Sequence, residues 1–317
     1  MVGKGANSCQ TNEVNTASQV ALGLAGTGGL TLGYSLLEAQ NFATRSINAQ
    51  VLPAGSADIK VLHLSDLHLT PSQSHKINWV ASLEKHDPDL VIVTGDFLAH
   101  QLAVPAVVEA LGDLLKRPGL FVLGSNDYFA PVFKNPFSYF NKKRNTSLSL
   151  KSLPTHDLVE ELIRAGWIDL NNKQERFTIN DVPIHARGTD DAHINRDDYA
   201  TVQGGFDTDS FALGVTHAPY LRILQSFAQD HADFLFAGHT HGGQICIPFY
   251  GALVTNCDLP TSQAKGLSEF ISADTHLAMH VSAGVGSSPY FPIRLACRPE
   301  ATVITLSAKT NEVTHDR

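Results

Sequence analysis

From residue 59 onward, short apolar runs alternate with segments of helical periodicity, and each apolar run stops at a polar residue. Ile59–Ser65, Leu90–Thr94, Leu120–Leu123, Phe211–Thr216 and Phe234–Ala237 read as buried strands. Helices are expected over Ile77–Lys85 and over Val104–Leu115, where Val104, Val107, Val108, Leu111 and Leu115 recur at helical spacing. A third runs from a cap at Thr155 to about Ala165, and a fourth follows His217 through Phe227. Phe177–Ile179 and Val182–Ala186 read as shorter strands, and Met279–Ser282 and Thr302–Leu306 as closing ones. Strands joined by helical crossovers predict largely parallel pairing in the first half.

Two stretches break this rhythm. Residues 1–18 are polar and read as a disordered tail, and 19–50 as an apolar helix with a linker. Val20 to Leu37 carries no charge, and eighteen residues is about the lower limit for spanning a bilayer. Gly23, Gly26, Gly28, Gly29 and Gly33 weaken helix propensity there. A membrane anchor and a helix docked on the main domain are both left open. The main domain is expected over 56–308, interrupted at 128–152 by a long insertion. That insertion holds Lys134, Lys142, Lys143, Arg144 and Lys151 among six aromatic residues and no acid. An insertion of this length is expected to overhang the site as a lid or binding loop.

Composition narrows the classes. With 43% hydrophobic and 17% charged residues the chain is globular. A formal charge of −8 argues against nucleic acid as the partner. Cys9, Cys246, Cys257 and Cys297 show no Cys-x-x-Cys spacing, so reduced thiols are the default, with Cys257–Cys297 as the disulfide to consider in an exported chain.

Candidate chemistry sits at the strand ends. Asp66 and His68 are two residues apart, a spacing that puts both side chains on one side of an extended chain. Asp96 follows the second strand, Asn126 the third, His217 a later one, and His239 and His241 another. Open α/β sheets gather functional groups at the carboxyl ends of their strands, so these mixed O and N donors can meet. His193 in Asp190-Asp191-Ala192-His193 is a further candidate, while His63, His185, His231 and His276 read as structural.

The series Asp66-Leu67-His68, Gly95-Asp96, Gly124-Ser125-Asn126-Asp127, His217 and Gly238-His239-Thr240-His241 resembles the calcineurin-like metallophosphoesterase superfamily, and GHTHGGQ resembles a bacterial branch of it. The resemblance implies a four-layer α/β sandwich of two mixed β-sheets flanked by helices. It also implies two divalent metal ions (Mn, Fe or Zn): Asp66, His68 and His241 hold one, His217, His239 and either Asn126 or Ser125, which a gapless match puts at the family's Asn position, hold the other, and Asp96 bridges them. The implied activity is hydrolysis of a phosphomonoester, phosphodiester or pyrophosphate by metal-bound hydroxide, on a phosphorylated small molecule or lipid. The loop around Asn126 departs from the family pattern, because it has no imidazole to assist the leaving group. His193 or Tyr128 is expected to substitute. Gly242 and Gly243 are expected to let the backbone pass close to the metals. A non-catalytic metal-binding scaffold and a nuclease are the rival readings, and both membrane-associated and cytoplasmic locations remain open.

Overall fold

The computed structural model describes residues 18, 26–131, 151–273 and 275–310. The first half comprises helix α1 (residues 26–38), β1 (Ala43–Leu52), β2 (Ile59–Leu64), α2 (Ser74–Ala81), β3 (Leu90–Thr94), α3 (Val104–Leu111), β4 (Gly119–Val122), the single turn α4 (Ser125–Tyr128), α5 (Thr155–Arg164) and β5 (Ile168–Asp169). The second half comprises β6 (Gln174–Ile179), β7 (Val182–Gly188), β8 (Phe211–Val215), α6 (Leu221–Gln229), β9 (Phe234–Ala237), β10 (Cys246–Ile247), β11 (Gly251–Ala252), β12 (Gly266–Ser272), β13 (Thr275–Val281) and β14 (Glu300–Ala308).

Two six-stranded sheets form, in the orders β1-β14-β2-β3-β4-β5 and β12-β13-β9-β8-β7-β6. Both are mixed: β2, β3, β4 and β5 run parallel, as do β7, β8, β9 and β13, while β14, β6 and β12 each make an antiparallel contact. The inner strands read as unbroken apolar runs because both of their faces are covered. Val61, Ile92 and Val122 point into a core shared with Phe211, Phe234 and Phe236 of the second sheet. Their neighbours Leu62, Val91, Val93 and Phe121 pack outward under α2, α3 and α5. On the far side α6 covers Leu235, Leu277, Met279 and Val281. The result is the expected order of helices, sheet, sheet, helix.

Several boundaries differ from the sequence reading. The stretch taken as helix and linker contains β1, which pairs parallel with β14 from Ala43 opposite Glu300. It is an edge strand with polar residues on its open side, so it lacks the apolar signature of the inner strands. The α2 region starts at Ser74 and tightens into a 3-10 turn over Ser82–His86, and α3 likewise gives way to Gly112–Lys116. Thr155 does not cap α5: it lies inside the first turn and its hydroxyl donates to the Asp127 carbonyl at 2.6 Å.

Only the last turn of α1 docks. Ser35 and Glu38 are buried, with the Ser35 carbonyl accepting from Arg294 N–H at 3.0 Å and Glu38 Oε2 from Ala296 N–H at 2.9 Å. No helix among the described residues is long and apolar enough to cross a membrane. The base of the insertion is closed by pairing of Phe129 with Ser152, while Lys134, Lys142, Lys143 and Arg144 lie outside the described residues. Cys246 and Cys297 are buried free thiols. The considered Cys257–Cys297 bridge is not formed, because Cys297 packs in an apolar cluster with Cys246 while Cys257 lies against another.

Candidate metal centre

The site lies where β2, β3, β4, β8 and β9 end. The ligand candidates do not continue their strands. Asp66, His68, Asp96, His239 and His241 have φ values of 52°, 43°, 58°, 69° and 50°, a left-handed conformation that is uncommon without glycine and concentrates at functional sites. Asp66 and His68 therefore converge through two left-handed residues beyond Leu64, not through the alternation of a strand. Backbone bonds hold these turns: Asp66 N–H to the Gly95 carbonyl and His68 N–H to the Asp96 carbonyl, both at 2.9 Å. Gly238 lets β9 lie against β2, since a Cβ there would fall 1.9 Å from Ser65 Oγ. At Gly242 and Gly243 the missing side chains make room for Cys297 and Ala252.

Ligand atoms of Asp66, His68, Asp96 and His241 all lie within 4.8 Å of one another, and all four residues are buried. His68 Nε2 is 3.3 Å from His241 Nε2 and 3.4 Å from Asp96 Oδ2, and His241 Nε2 is 3.4 Å from Asp66 Oδ1. Asp66 Oδ1 is buried without a hydrogen-bond partner. Two imidazole nitrogens facing each other beside an unpartnered carboxylate oxygen are unfavourable on their own. A shared divalent cation satisfies all of them, so this donor set fits one.

A second group adjoins the first. His217 Nε2 is 3.7 Å from Asp96 Oδ2 and 3.3 Å from His239 Nδ1. Asn126 donates to Asp96 twice, from its backbone N–H at 2.8 Å and from Nδ2 at 2.7 Å. In this loop it is Asn126, not Ser125, whose side chain meets Asp96. His193 stands beside His239, its ring 4.6 Å from that of His239 and its Nδ1 3.0 Å from the Tyr220 hydroxyl. Tyr128 donates its hydroxyl to Asp190 at 2.8 Å.

Outer partners fix which nitrogen of each ring faces inward. His217 Nδ1–H donates to the Thr94 carbonyl at 2.6 Å, His239 Nε2–H to Asn256 at 3.2 Å and His241 Nδ1–H to Gly286 at 3.1 Å. A carbonyl can only accept, so the opposite nitrogen of each of these three rings is the one turned toward the centre. Burial holds His68 and His239 well below the ordinary histidine range and His241 down to about 3, which keeps His68, His239 and His241 neutral. Burial raises Asp66 and Asp96. For His217 burial pulls downward, but Asp96, Asp191 and Asp66 outweigh it and push the ring up to about 9. That proton answers the same carboxylates that a cation would.

Residues 59–243 match the model of the calcineurin-like phosphoesterase family. The chain belongs to that family. It is a metal-dependent phosphoesterase. It is 30% identical to the uncharacterized metallophosphoesterase YkoQ of Bacillus subtilis over 77% of this chain and 82% of that one. It is 24% identical to YkuE of the same organism over 83% and 84% of the two chains. Phosphodiesterase YaeI of Escherichia coli is 23% identical over 79% of this chain and 83% of its own length.

Three supporting residues of the phosphoesterase escaped the sequence reading. Asp127 accepts buried N–H groups from Asp96 at 2.8 Å, Gly124 at 2.9 Å and Leu98 at 3.0 Å, so it braces the Asp96 and Asn126 loops together. Lys76 is buried and donates to the Leu67 carbonyl at 2.8 Å, behind Asp66 and His68. Arg294 is the largest fully buried side chain, donating to the Ala283 carbonyl at 2.7 Å, the Gly284 carbonyl at 3.2 Å and the His241 carbonyl at 3.2 Å. Only Asp127 carried a signal, as a carboxylate inside a motif loop. Lys76 and Arg294 lie far from the motifs in sequence.

Proposed function

We propose that this phosphoesterase holds two divalent cations side by side and hydrolyses a phosphodiester or pyrophosphate bond in a small-molecule or lipid substrate. Asp96 carries this reading, since its Oδ2 faces His68 on one side and His217 on the other. Asp66, His68 and His241 hold one cation, and His217, His239 and Asn126 the other. Two divalent cations at such a centre supply Lewis acidity and neutralise the charge that develops on a transferring phosphoryl group.

The chain's own groups do the rest. Carbonyl partners turn one ring nitrogen each of His217, His239 and His241 toward the centre, and Asp127 keeps the Asp96 turn in register with Asn126. With no imidazole in the Asn126 loop, His193 is the proton donor to the leaving group, its ring oriented by the Tyr220 hydroxyl. A leaving phosphate needs little protonation, which favours pyrophosphates. The name of the Escherichia coli relative favours a diester.

Metal analysis of protein purified with Mn²⁺ tests the pair of sites, with two ions per chain expected. Hydrolysis of bis-p-nitrophenyl phosphate, compared with Asp96→Asn, tests the activity. Turnover no higher than that of Asp96→Asn would establish the scaffold reading instead. A pH–rate profile unchanged by His193→Ala would remove that residue from the donor role.

A further inference from the structure

Fourteen large hydrophobic side chains are exposed among the described residues, and ten of them fall on three segments: α1, the β10–β11 hairpin and the loop before Arg294. They include Leu30, Leu32 and Leu37 on α1 and Phe249, Tyr250 and Leu253 on the hairpin. Phe249 is the extreme case, with 111% relative exposure and no cover from its own hairpin. Scattered apolar residues on a surface are ordinary, but a concentration of this kind marks an interaction face.

Far apart in sequence, the three segments are joined in the fold. The Ser35 carbonyl at the end of α1 accepts from Arg294 N–H at 3.0 Å, and the Leu295 carbonyl accepts from Cys246 N–H at the start of the hairpin at 2.8 Å. Gln244 Nε2 donates to the carbonyls of Phe291 and Ile293, both at 3.0 Å. Each segment is also uncharged. Residues 20–37, 242–257 and 281–293 contain no Asp, Glu, Lys or Arg, in a chain where these make up 17% of residues.

We infer that this face docks the enzyme on the surface of a lipid bilayer. Its chemistry matches the boundary between headgroups and acyl chains: neutral, apolar, and tipped with Phe and Tyr, whose rings favour that zone. A soluble protein partner would be expected to meet charged or polar groups at the rim of its footprint, and these three segments offer none that are charged. In this docking the face lies on the bilayer surface, and no helix among the described residues is long and apolar enough to cross it. The face also adjoins the metal centre, because His241 opens the stretch leading into the hairpin and Gly286, which accepts from His241, opens the loop to Arg294. Docked this way, the centre sits beside the headgroup layer. The lipid member of the substrate class proposed above rests on that reading, whereas the docking itself does not.

Flotation of the full chain with phosphatidylcholine vesicles tests the inference, using wild type and the double variant Phe249→Asp/Tyr250→Asp. Wild type should float with the vesicles, equally at about 50 mM and about 500 mM salt because the face is neutral. The variant should partition at least tenfold less while hydrolysing bis-p-nitrophenyl phosphate in solution at the wild-type rate. The inference is overturned if wild type stays in the aqueous phase, if the variant floats as well, or if binding vanishes at high salt. A dimer in solution that the double variant dissociates, without vesicle binding, would assign the face to a second copy. Hydrolysis in solution is read separately, so loss of activity in wild type would count against the catalytic reading alone.

Discussion

Replacing Gly238 with alanine tests how tightly β9 must lie against β2 for the centre to form. The position is outside the left-handed residues, so alanine meets no backbone penalty there. The added Cβ would fall 1.9 Å from Ser65 Oγ, 2.9 Å from Thr94 Oγ1 and 3.0 Å from Asp66 Oδ2. The first distance is roughly 1.5 Å short of ordinary contact. Ser65 cannot yield freely, because its hydroxyl donates to Asp66 Oδ2 at 2.7 Å and that carboxylate faces His241. Overpacking of this kind costs about 1–3 kcal/mol. Displacing Asp66 by about 1 Å should lower the rate by roughly 10²-fold. Ser65→Ala removes the clashing oxygen and sacrifices one hydrogen bond worth about 1 kcal/mol. In the Gly238→Ala background it should therefore improve stability and recover about tenfold in activity, a coupling of roughly 1–2 kcal/mol. Urea denaturation and bis-p-nitrophenyl phosphate hydrolysis on the four proteins measure both quantities. If Gly238→Ala is as active and stable as wild type, or if Ser65→Ala fails to improve it, the packing argument is wrong.

Other outcomes follow from the same geometry. Asp127→Ala leaves three buried N–H groups without an acceptor and should destabilise the protein by roughly 3 kcal/mol or more in urea denaturation; a loss below about 1 kcal/mol would mean water replaces the carboxylate. Burial lowers Lys76 to about 7. The unfolded chain then binds a proton that the folded chain does not between about pH 7 and about pH 10.4, so this group makes the metal-free protein more stable as pH rises. Denaturation curves of Lys76→Met across that range should lack this upward component, and parallel curves would refute it. Chelation should abolish hydrolysis and lower the melting temperature, since facing imidazoles 3.3 Å apart lose their shared cation; an unchanged melting temperature would separate the centre from stability.

Much of the fold was readable because the inner strands are buried on both faces. LVIVT at Leu90–Thr94 and FLFA at Phe234–Ala237 carry that burial in composition alone. β1 was not readable, since an edge strand exposes Arg45 and Ser46 and takes its partner from β14 at the far end of the chain. Helix ends were misplaced where contacts from elsewhere decide them, as when the Thr155 hydroxyl turns to the Asp127 carbonyl. Asp66, His68, Asp96, His217, His239 and His241 could be nominated from strand ends and motif spacing. Their supports could not, because Arg294 reaches His241 only through a loop closed in three dimensions.

The sequence by itself determined the inner strands and the donor types, because burial on two faces and a choice of Asp, Asn and His are properties of local composition, while the layered architecture was implied by the family resemblance of the motifs. The tertiary structure alone decided the left-handed turns that aim those donors, the carbonyls that fix the tautomers of His217, His239 and His241, and the hydrogen bonds that join three uncharged segments. Each of these depends on contacts between residues distant in the chain, and local sequence carries no record of which distant group will satisfy a given N–H, ring nitrogen or apolar side chain.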